Sequence, residues 1–301
     1  MRRLVLGLAL VATAVGTAEL GLRFGLGLGD PPLARLDPAT EYELVPSARY
    51  RRWGNAIEVN SHGMRGREPG PPDSGERRVL LIGDSVVYGT NLLDQDETIG
   101  AQLERRLSAA GCEHLVLPLA ASSWGPENQR AALERTGVLG AGAAVILLSS
   151  HDLHDVPLPS SDILPYRLTR PWGAIGDAVE IVLERRRQAG RYRAMAPLEA
   201  RALQSLAALD AMADQLAAAG IRLVLAYHPT LSERRDGAAA ARARFLDWAQ
   251  ARGRRFLDLG AAAGDGSEGY RDDIHPNALG AAQIAVALAE VLAPDLPPCA
   301  G

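Results

Sequence analysis

Lysine is absent from this sequence: all 32 basic residues among its 301 residues are arginine. Phosphate-loop nucleotide binding, protein-kinase chemistry and Schiff-base catalysis each need a lysine amine, so the sequence excludes all three. Cysteine is scarce, since Cys112 and Cys299 are too few for a disulfide framework and lack the spacing of a zinc or redox motif. The net charge of −4 gives no basic surface, and we therefore expect no nucleic-acid partner.

The amino terminus contains a long hydrophobic run. Residues Leu4–Ala18 hold no charge, and Glu19 and Arg23 follow at a spacing that pairs them on one face of a helix. A span from Leu4 to about Leu22 is just long enough to cross a bilayer, since about 20 residues are needed. A secretory signal peptide cleaved after Ala18 is the alternative, because small residues stand where the peptidase requires them.

Both interpretations place the remaining chain outside the cytoplasm. Arg2 and Arg3 precede the apolar run, and positive residues mark the cytoplasmic end of a membrane segment. We favour an uncleaved anchor over residues 1–28, which gives a single-pass protein of the cell membrane with its domain on the periplasmic side. Cleavage of the leader would instead give a secreted protein.

Residues 29–75 are predicted to connect the apolar segment to a folded domain. The stretch from Asp30 to Pro46 is rich in proline and has no periodicity, which is typical of a tether. Residues 49–60 predict a hairpin, with two short extended runs around a turn at residues 53–55. Residues 69–75 again contain proline and glycine and mark the start of the domain.

Short apolar strands alternate with amphipathic helices from residue 76 to residue 295. The predicted strands are residues 79–82, 115–119, 143–148, 223–227 and 256–259, and the predicted helices are residues 99–107, 126–135, 198–216, 238–252 and 277–292. This alternation is typical of a parallel sheet covered by helices on both faces. We expect an α/β fold with a parallel five-stranded sheet covered by helices on both faces, followed by a tail at 296–301.

Residues 156–197 interrupt this alternation as an insertion. The segment holds several prolines and then a basic stretch that predicts a helix at 184–193. A long interval between a strand and a helix is often functional, and a lid over the substrate is one interpretation. A solvated excursion with a surface helix is the other.

Polar residues follow the strands of the predicted sheet, at the edge where open parallel sheets bind ligands. Gly83-Asp84-Ser85 follows the first strand, and the glycine permits a sharp turn. Ser85 would begin a helix with its hydroxyl in the crevice and its N–H directed at an oxyanion. Gly125, before a helix start at Pro126, could offer a second N–H, although a plain N-cap glycine, taken alone, explains it better.

His275 lies just before the last helix, in the sequence Asp272-Asp273-Ile274-His275. Asp272, three residues back, can accept a hydrogen bond from the Nδ1–H of His275 and leave the Nε2 atom to take a proton from Ser85. Asp273 is expected to point elsewhere, toward the surface or a helix cap. The sequence thus predicts a serine nucleophile, a histidine base and an orienting aspartate.

A cluster of histidines and aspartates follows the third strand at residues 151–155. His151 and His154 suggest a metal hydrolase as a minority interpretation, because the sequence has no further cluster at ligand spacing and zinc sites need three or four ligands. We therefore expect neither a metal nor another cofactor. His228 follows the fourth strand at the edge of the crevice, where a structural role is favoured over a contact with substrate.

These motifs, taken in order, resemble the four blocks of the SGNH hydrolases, also called GDSL esterases. The family carries Gly-Asp-Ser, a glycine after the second strand, Gly-x-Asn-Asp after the third strand and Asp-x-x-His near the carboxyl end. The corresponding segments here are Gly83–Ser85, Gly125, Ser149–Asp152 and Asp272–His275. The resemblance covers about residues 76–292, and Ala18–Arg23 and Val59–Arg65 resemble the membrane-anchored bacterial branch of the family.

The resemblance implies a triad of Ser85, His275 and Asp272, with backbone N–H groups of Ser85 and Gly125 stabilising the oxyanion. It also implies a three-layer α/β/α sandwich with a flavodoxin-like parallel five-stranded sheet. Ester hydrolysis and acyl transfer use the same triad and differ only in the molecule that accepts the acyl group.

The third block departs from the family pattern. The family's third oxyanion donor is an asparagine side chain, and His151 replaces it here. A neutral imidazole can donate one N–H, so we expect His151 to serve as this donor. Loss of one such donor costs about 2.7–4 kcal/mol of transition-state stabilisation. In the alternative interpretation, His151, Asp152 and Asp155 form a polar network that orders the insertion.

The sequence therefore predicts an extracytoplasmic serine esterase or O-acyltransferase. By analogy with the family, its substrate is an acyl ester, with an acetyl ester of a cell-surface polysaccharide favoured over other small-molecule or glycan esters. The alternative keeps the fold without the chemistry, as a glycan-binding or assembly component of an envelope polysaccharide system. The altered third block is the support for this alternative.

Overall fold

A parallel five-stranded sheet forms the centre of the protein. The computed structural model describes residues 1–71, 74–109, 112–157, 167–188, 198–237, 240–261 and 266–296. Two antiparallel hairpins precede the sheet. Their strands are β1 (Ala34–Asp37) with β2 (Glu41–Leu44), and β3 (Ala48–Arg52) with β4 (Asn55–Val59).

Four of the five strands of the sheet are buried along most of their length, as expected for strands covered on both faces, whereas the edge strand at residues 256–258 is only half-buried. They are β5 (Arg77–Gly83), β6 (His114–Ala120), β7 (Ala141–Leu148), β8 (Arg222–Tyr227) and β9 (Phe256–Asp258). Their order across the sheet is β6-β5-β7-β8-β9, and every neighbouring pair is parallel. The direction of winding reverses beside β5, so the carboxyl ends of β5 and β7 border the crevice where such sheets bind ligands.

Helices cover the sheet on both faces. The helices are α1 (Arg2–Leu26), α2 (Ser85–Tyr88), α3 (Ile99–Ser108), α4 (Pro126–Thr136), α5 (Ala174–Gln188), α6 (Leu198–Ala218), α7 (Leu231–Asp236), α8 (Ala240–Ala251) and α9 (Ala278–Leu292). Helix α3 packs against α9 on one face, and α4 packs against α6 on the other. Arg252, just after α8, pairs with Asp210 of α6 and so places α8 beside α6.

The three-layer α/β/α fold predicted from the sequence is confirmed. The five predicted strands correspond to β5 to β9, and the five predicted helices correspond to α3, α4, α6, α8 and α9. Each strand is recognisable as a short apolar run, and β5 to β8 are largely buried on both faces. The predicted hairpin at residues 49–60 is also present, as β3 and β4.

Helix α1 has no buried residue along its 25 residues. By length and composition it can cross a membrane. The predicted pair of Glu19 and Arg23 is formed, with the Arg23 Nη2 atom 2.8 Å from Glu19 Oε1. The Glu19 carboxylate also accepts hydrogen bonds from the N–H groups of Ala174 and Ile175, at 2.8 and 2.9 Å. Glu19 therefore caps the amino terminus of α5.

The segment that follows α1 is tied to the domain through one buried carboxylate. Asp177 of α5 accepts a hydrogen bond from the N–H of Gly29 at 2.8 Å. It also pairs with the guanidinium groups of Arg52 and Arg167. Burial raises the pKa of Asp177, but the hydrogen bond from Arg52 and the other donors outweigh this effect, and the net shift of its pKa is downward. Asp177 thus joins α5, the exit of α1 and the second hairpin.

Two regions differ from the sequence-based expectation. The stretch from Asp30 to Pro46, expected to be a tether, contains the hairpin of β1 and β2, whose side chains Tyr42 and Leu44 are buried in the core. The helix expected at 184–193 begins ten residues earlier as α5, because Glu19 caps it there. The last five residues of that expected helix, 189–193, lie outside the described residues. The described part of the insertion packs against the amino-terminal segment, since Ala34 donates its N–H to the carbonyl of Arg167.

Candidate active site

The turn after β5 carries the sequence Gly83-Asp84-Ser85 and ends in the short helix α2. A Cβ atom on Gly83 would collide with the side chain of Val87, so only glycine permits this tight turn. The carboxylate of Asp84 accepts a hydrogen bond from the Val86 N–H at 2.8 Å and caps α2. Ser85 is the first residue of α2 and is largely buried, so its hydroxyl is held at the carboxyl end of β5.

The structure brings Ser85, His275 and Asp272 together. The Nε2 atom of His275 lies 2.9 Å from the Ser85 Oγ atom, although 190 positions separate the two residues in the sequence. The Nδ1 atom of His275 lies 2.9 and 3.1 Å from the two carboxylate oxygens of Asp272. With a proton on Nδ1 donated to Asp272, Nε2 is the acceptor for the Ser85 hydroxyl. This is the arrangement of a nucleophile, a base and an orienting acid.

Backbone donors fix the carboxylate of Asp272 under the imidazole. The N–H groups of Ile274 and His275 donate to Asp272 Oδ1 at 2.9 and 2.8 Å. Partial burial raises the pKa of Asp272, but these hydrogen bonds and the neighbouring imidazole outweigh it, so the net shift of its pKa is downward. Asp272 is therefore ionised at neutral pH and can stabilise a positive charge on His275.

The loop that carries His275 is attached to the segment after β8. The Nε2–H of His228 donates to the Ile274 carbonyl at 3.2 Å, and the His228 ring stacks on Tyr270. Complete burial lowers the pKa of His228 to about 4, so this residue is neutral at pH 7. Asp273 accepts from the N–H and the hydroxyl of Ser232, at 2.8 and 2.9 Å, and caps α7 as the sequence suggested.

His151 lies on the other side of the Gly83–Ser85 turn and contacts Asp84. Its Nε2 atom is 2.6 Å from Asp84 Oδ2, and its Nδ1 atom is 2.9 Å from the Ser149 hydroxyl. Burial lowers the pKa of His151, but the negative charge of Asp84 outweighs burial and raises it to about 10. His151 is therefore an imidazolium at neutral pH. Since Asp84 and Ser149 occupy its two ring nitrogens, donation from His151 to an oxyanion stays a prediction.

Two further carboxyl groups surround this pair. Burial and the charge of Asp84 raise the pKa of Asp152 to about 8, and burial raises the pKa of Asp155 to about 6. Asp152 accepts hydrogen bonds from the Ser149 N–H at 2.7 Å and from the Gln129 side chain at 3.2 Å. Asp152 thus belongs to a buried polar network after β7, which is the alternative role that the sequence left open for this segment.

Gly125 is the N-cap residue of α4, and its N–H is already bonded. The amide N–H donates to Asn128 Oδ1 at 3.1 Å, and Asn128 in turn donates to the carbonyl of Thr40. A Cβ atom at Gly125 would collide with the carbonyl of Asp155, which accounts for glycine here. Donation from Gly125 to an oxyanion therefore stays a prediction that requires this N–H to change partner. Ser123, two residues earlier, is exposed and has a left-handed backbone with φ of 63°.

One group of metal-ligating side chains converges among the residues that the structure describes. Ligand atoms of Asp84, His151 and Asp152 all lie within 4.8 Å of one another. In the arrangement observed, the His151 nitrogen that would bind a metal is bonded directly to Asp84. His154, the second histidine of the metal-hydrolase interpretation, is not in this group. The absence of a metal from the reaction stays a prediction.

One contact in this site escapes the sequence-based reasoning. The sequence marks Asp84 only as part of the Gly83–Ser85 motif, whereas the structure pairs it with His151. The two residues are 67 positions apart, and nothing local in the sequence connects them. His228, for which the sequence favours a structural role, makes a contact of that kind with the backbone carbonyl of Ile274.

Comparison with known proteins identifies the class of domain. Residues 81–283, about two thirds of the chain, match the sequence model of the GDSL-like lipase/acylhydrolase family. A comparison with curated proteins gives no match.

Solved structures with a similar fold come from several bacteria. A lipase/acylhydrolase from Enterococcus faecalis is 14% identical and has a TM-score of 0.48, with 75% of this chain and 100% of that chain covered. A GDSL-like lipase from Bacteroides thetaiotaomicron is 13% identical with a TM-score of 0.46, covering 76% and 93%. A two-domain esterase active on acetylated mannans is 10% identical with a TM-score of 0.47, covering 74% and 51%.

Proposed function

Since the chain belongs to the GDSL-like lipase/acylhydrolase family, we propose that it is a serine esterase or O-acyltransferase whose triad is Ser85, His275 and Asp272. The observation that supports this proposal best is the contact between Ser85 Oγ and His275 Nε2 at 2.9 Å, with Asp272 on the opposite ring nitrogen. A nucleophile and a base at hydrogen-bond distance, with a third group orienting the base, is the geometry that nucleophilic catalysis requires.

In the first half of the reaction, the Ser85 hydroxyl attacks the carbonyl carbon of the ester. His275 Nε2 takes the hydroxyl proton while Oγ forms a bond to carbon, and Asp272 stabilises the imidazolium that results. The tetrahedral intermediate collapses when the bond to the alcohol oxygen breaks. His275 donates its proton to that oxygen, and the acyl group stays on Ser85 as an ester.

In the second half, water or a hydroxyl group of an acceptor attacks the acyl-serine. His275 Nε2 takes a proton from the attacking oxygen and returns it to Ser85 Oγ as the acyl group leaves. Water gives a free carboxylic acid, whereas a sugar hydroxyl gives an O-acylated glycan. The Ser85 N–H, in the first turn of α2, has no carbonyl partner four residues back and is our first assignment for an oxyanion donor.

The test is ester hydrolysis by matched variants. We expect wild type to hydrolyse p-nitrophenyl acetate and to bind a fluorophosphonate covalently, and Ser85→Ala to do neither. A triad member typically contributes a factor of about 10⁴ or more to kcat. Ser61→Ala is the control, because Ser61 is exposed and bonded only to Glu68. Equal hydrolysis by wild type and Ser85→Ala would contradict the proposal, and loss of activity with a chelator alone would favour a metal hydrolase.

We further propose that α1 holds the domain on the outer side of the cell membrane. Helix α1 is apolar and entirely unburied. It continues as a helix through Ala18 and Glu19, where the alternative cleavage would occur, and Glu19 is bonded to α5. Cys112 is disulfide-bonded, and such bonds persist mainly outside the cytoplasm. A fusion of a periplasm-dependent reporter to residue 301 tests this orientation.

For the substrate we propose an acetyl or other short acyl ester of a cell-surface glycan. An enzyme held outside the membrane meets envelope polysaccharides, and the family acts on acyl esters. Acetate release from acetylated glycans by wild type, compared with Ser85→Ala, measures hydrolysis. The transfer reaction is measured with a chromogenic acetyl donor and a glycan acceptor, by mass gain of the acceptor.

A non-catalytic glycan-binding role is the second candidate. It is favoured by the oxyanion side of the crevice, where the Gly125 N–H is bonded to Asn128 and His151 is bonded to Asp84. This candidate predicts glycan binding of equal affinity in wild type and Ser85→Ala, with no covalent fluorophosphonate adduct in either protein.

A further inference from the structure

Exposed hydrophobic side chains are concentrated in one short segment outside α1. Beyond residue 26, five of the ten large hydrophobic side chains that the described residues expose lie between residues 168 and 183. That segment is about a twentieth of the chain. An exposed apolar surface of this kind marks a contact with a partner or with a membrane.

Between residues 174 and 183, the part of α5 whose side chains are described, the exposed residues lie on one face of the helix. Val179, Val182 and Leu183 follow Ile175 at intervals of four, seven and eight positions, which aligns all four side chains. Val179 and Val182 are each 53% exposed. We call these four residues the α5 stripe. Trp172, just before the helix, is 81% exposed, which is unusual for the largest apolar side chain.

The α5 stripe begins in a groove that it shares with α1. Leu8, Val11 and Val15 of α1 form one wall of this groove, and Trp172 and Ile175 form the other. The two walls are held together by the hydrogen bonds from Ala174 and Ile175 to Glu19. Whatever covers the α1 wall therefore also covers Trp172 and the start of the α5 stripe.

The two acidic side chains that the structure describes in α5 point away from this surface and pair with arginine. Asp177 is buried against Arg52 and Arg167, and Glu180 pairs with Arg167. A second tryptophan lies near the end of α1, where the Trp53 N–H donates to the Leu26 carbonyl at 2.6 Å. Tryptophan is enriched where protein crosses the boundary between lipid and water. An apolar helix face suits the same boundary, and between residues 174 and 183 both carboxylates of α5 are paired with arginine.

We propose that Trp172 and the α5 stripe rest in the bilayer beside α1, so that the domain contacts lipid at a second place. This inference rests on the proposed anchoring by α1, because lipid around Leu8, Val11 and Val15 would fill the shared groove. The bilayer is thus the partner of the exposed face of α5. Contact with a second copy of the chain, or coverage by the chain itself, are outcomes that the test distinguishes.

The test places nitroxide labels on the full-length protein in vesicles of phosphatidylethanolamine and phosphatidylglycerol. Single cysteines are introduced as Val179→Cys and Val182→Cys, with Val11→Cys reporting on the anchor. Leu203→Cys on α6 is the matched control, because Leu203 is 56% exposed and lies outside the stripe. Since Cys112 is disulfide-bonded, the label goes to the introduced thiols.

We expect labels at 179 and 182 to collide with oxygen several-fold more, relative to a water-soluble nickel chelate, than the label at 203. Brominated lipids should quench tryptophan fluorescence of wild type, and Trp172→Phe should remove much of this quenching, whereas Trp248→Phe in the core should not. A lipid signal at residue 11 with a water-like signal at 179 and 182 would overturn this inference and leave the anchor intact.

The remaining outcomes also decide the question. A water-like signal at residue 11 refutes the anchor, and the inference with it, while leaving the esterase proposal untouched. Labels at 179 and 182 that are shielded from both oxygen and the nickel chelate mean that protein covers the stripe, which also refutes lipid contact. If the nitroxide spectra are broadened, and the broadening disappears when labelled protein is diluted with unlabelled protein, the protein that covers the stripe is a second copy of the chain.

Discussion

Two aspartate–histidine pairs lie beside the turn after β5: one includes Asp84, and the other contacts the next residue, Ser85. The pairs differ in whether the histidine has a ring nitrogen available for proton transfer. After β9, His275 uses Nδ1 for Asp272 and presents Nε2 to Ser85. After β7, His151 gives its Nε2 directly to the carboxylate of Asp84, the residue before Ser85. One pair leaves a nitrogen for proton transfer, whereas the other forms a closed ion pair.

The different surroundings of the two histidines explain why we assign them different roles. His275 and Asp272 are partly open to solvent, and their carboxylate is satisfied by backbone N–H groups of the same loop. Asp84 is fully buried, so the cation that neutralises it must stay in place. We therefore interpret His275 as a carrier of protons and His151 as a fixed charge that holds the turn. Four substitutions test this comparison.

The largest effect is expected for Asp272→Asn. The amide cannot stabilise an imidazolium and favours the wrong tautomer of His275, so kcat should fall by about 10⁴. Asp273→Asn is the matched control on the same loop, because Asp273 bonds only Ser232 and Leu231 of α7. Both variants are compared by their rates of ester hydrolysis. An equal loss of kcat in the two would contradict a special role for the Asp272 carboxylate.

The next effect is a loss of stability in His151→Gln. Removal of one partner from a buried ion pair costs about 3–5 kcal/mol, because the charge of Asp84 is left uncompensated. Urea unfolding measures the loss, and the double variant Asp84→Asn/His151→Gln should recover much of it. A free energy of unfolding in His151→Gln equal to that of wild type would show that the pair is not a fixed charge.

The pH dependence of the same pair has a defined sign. The pKa of His151 is raised to about 10 in the folded protein. Its contribution to stability is therefore complete below the ordinary histidine pKa and is lost as pH rises through 10. The difference in stability between wild type and His151→Gln should shrink accordingly between pH 7 and pH values above 10.

A smaller effect is expected for His228, the neutral histidine behind the His275 loop. Its pKa is lowered to about 4, so the unfolded chain binds a proton that the folded chain does not bind as pH falls from about 6.5 to 4. Wild type should lose about 3 kcal/mol of stability through this group. Thermal unfolding of His228→Gln should show a shallower decline over this window. An unchanged slope would mean that His228 is not buried as a neutral side chain.

The smallest effect is expected for Tyr270→Phe. The Tyr270 hydroxyl donates to the carbonyl of Pro229 and ties the His275 loop to the segment after β8. Its loss should cost about 1 kcal/mol of stability and lower kcat by only a few-fold, since the ring still stacks on His228. A loss of activity as large as that of Asp272→Asn would mean that loop position, rather than charge at Asp272, governs catalysis.

The sheet and the position of the triad could be predicted because their signals are local. The strands are short apolar runs, and Ser85 directly follows one of them. Asp272 and His275 stand at a spacing that permits their contact within one turn. The hairpin of β1 and β2 could not be predicted, because Tyr42 and Leu44 alternate over only four residues among prolines and turn residues.

The pair of Asp84 and His151 could not be predicted from local sequence, because it depends on the order of the strands in the sheet. It forms because β5 and β7 are neighbours although β6 lies between them in the sequence. The partner of the Gly125 N–H, in contrast, had a local signal. Asn128 stands three residues later, at the position from which a side chain caps a helix start.

The carboxylate of Asp177 has a consequence for the anchoring proposed above. Because Gly29, Arg52 and Arg167 all bond to it, the exit of α1 is joined to the second hairpin and to α5. With α1 in a membrane as proposed, these noncovalent bonds would restrict the rotation of the domain about its anchor. The crevice would then open at a restricted angle to the membrane normal, toward esters at one height above the bilayer.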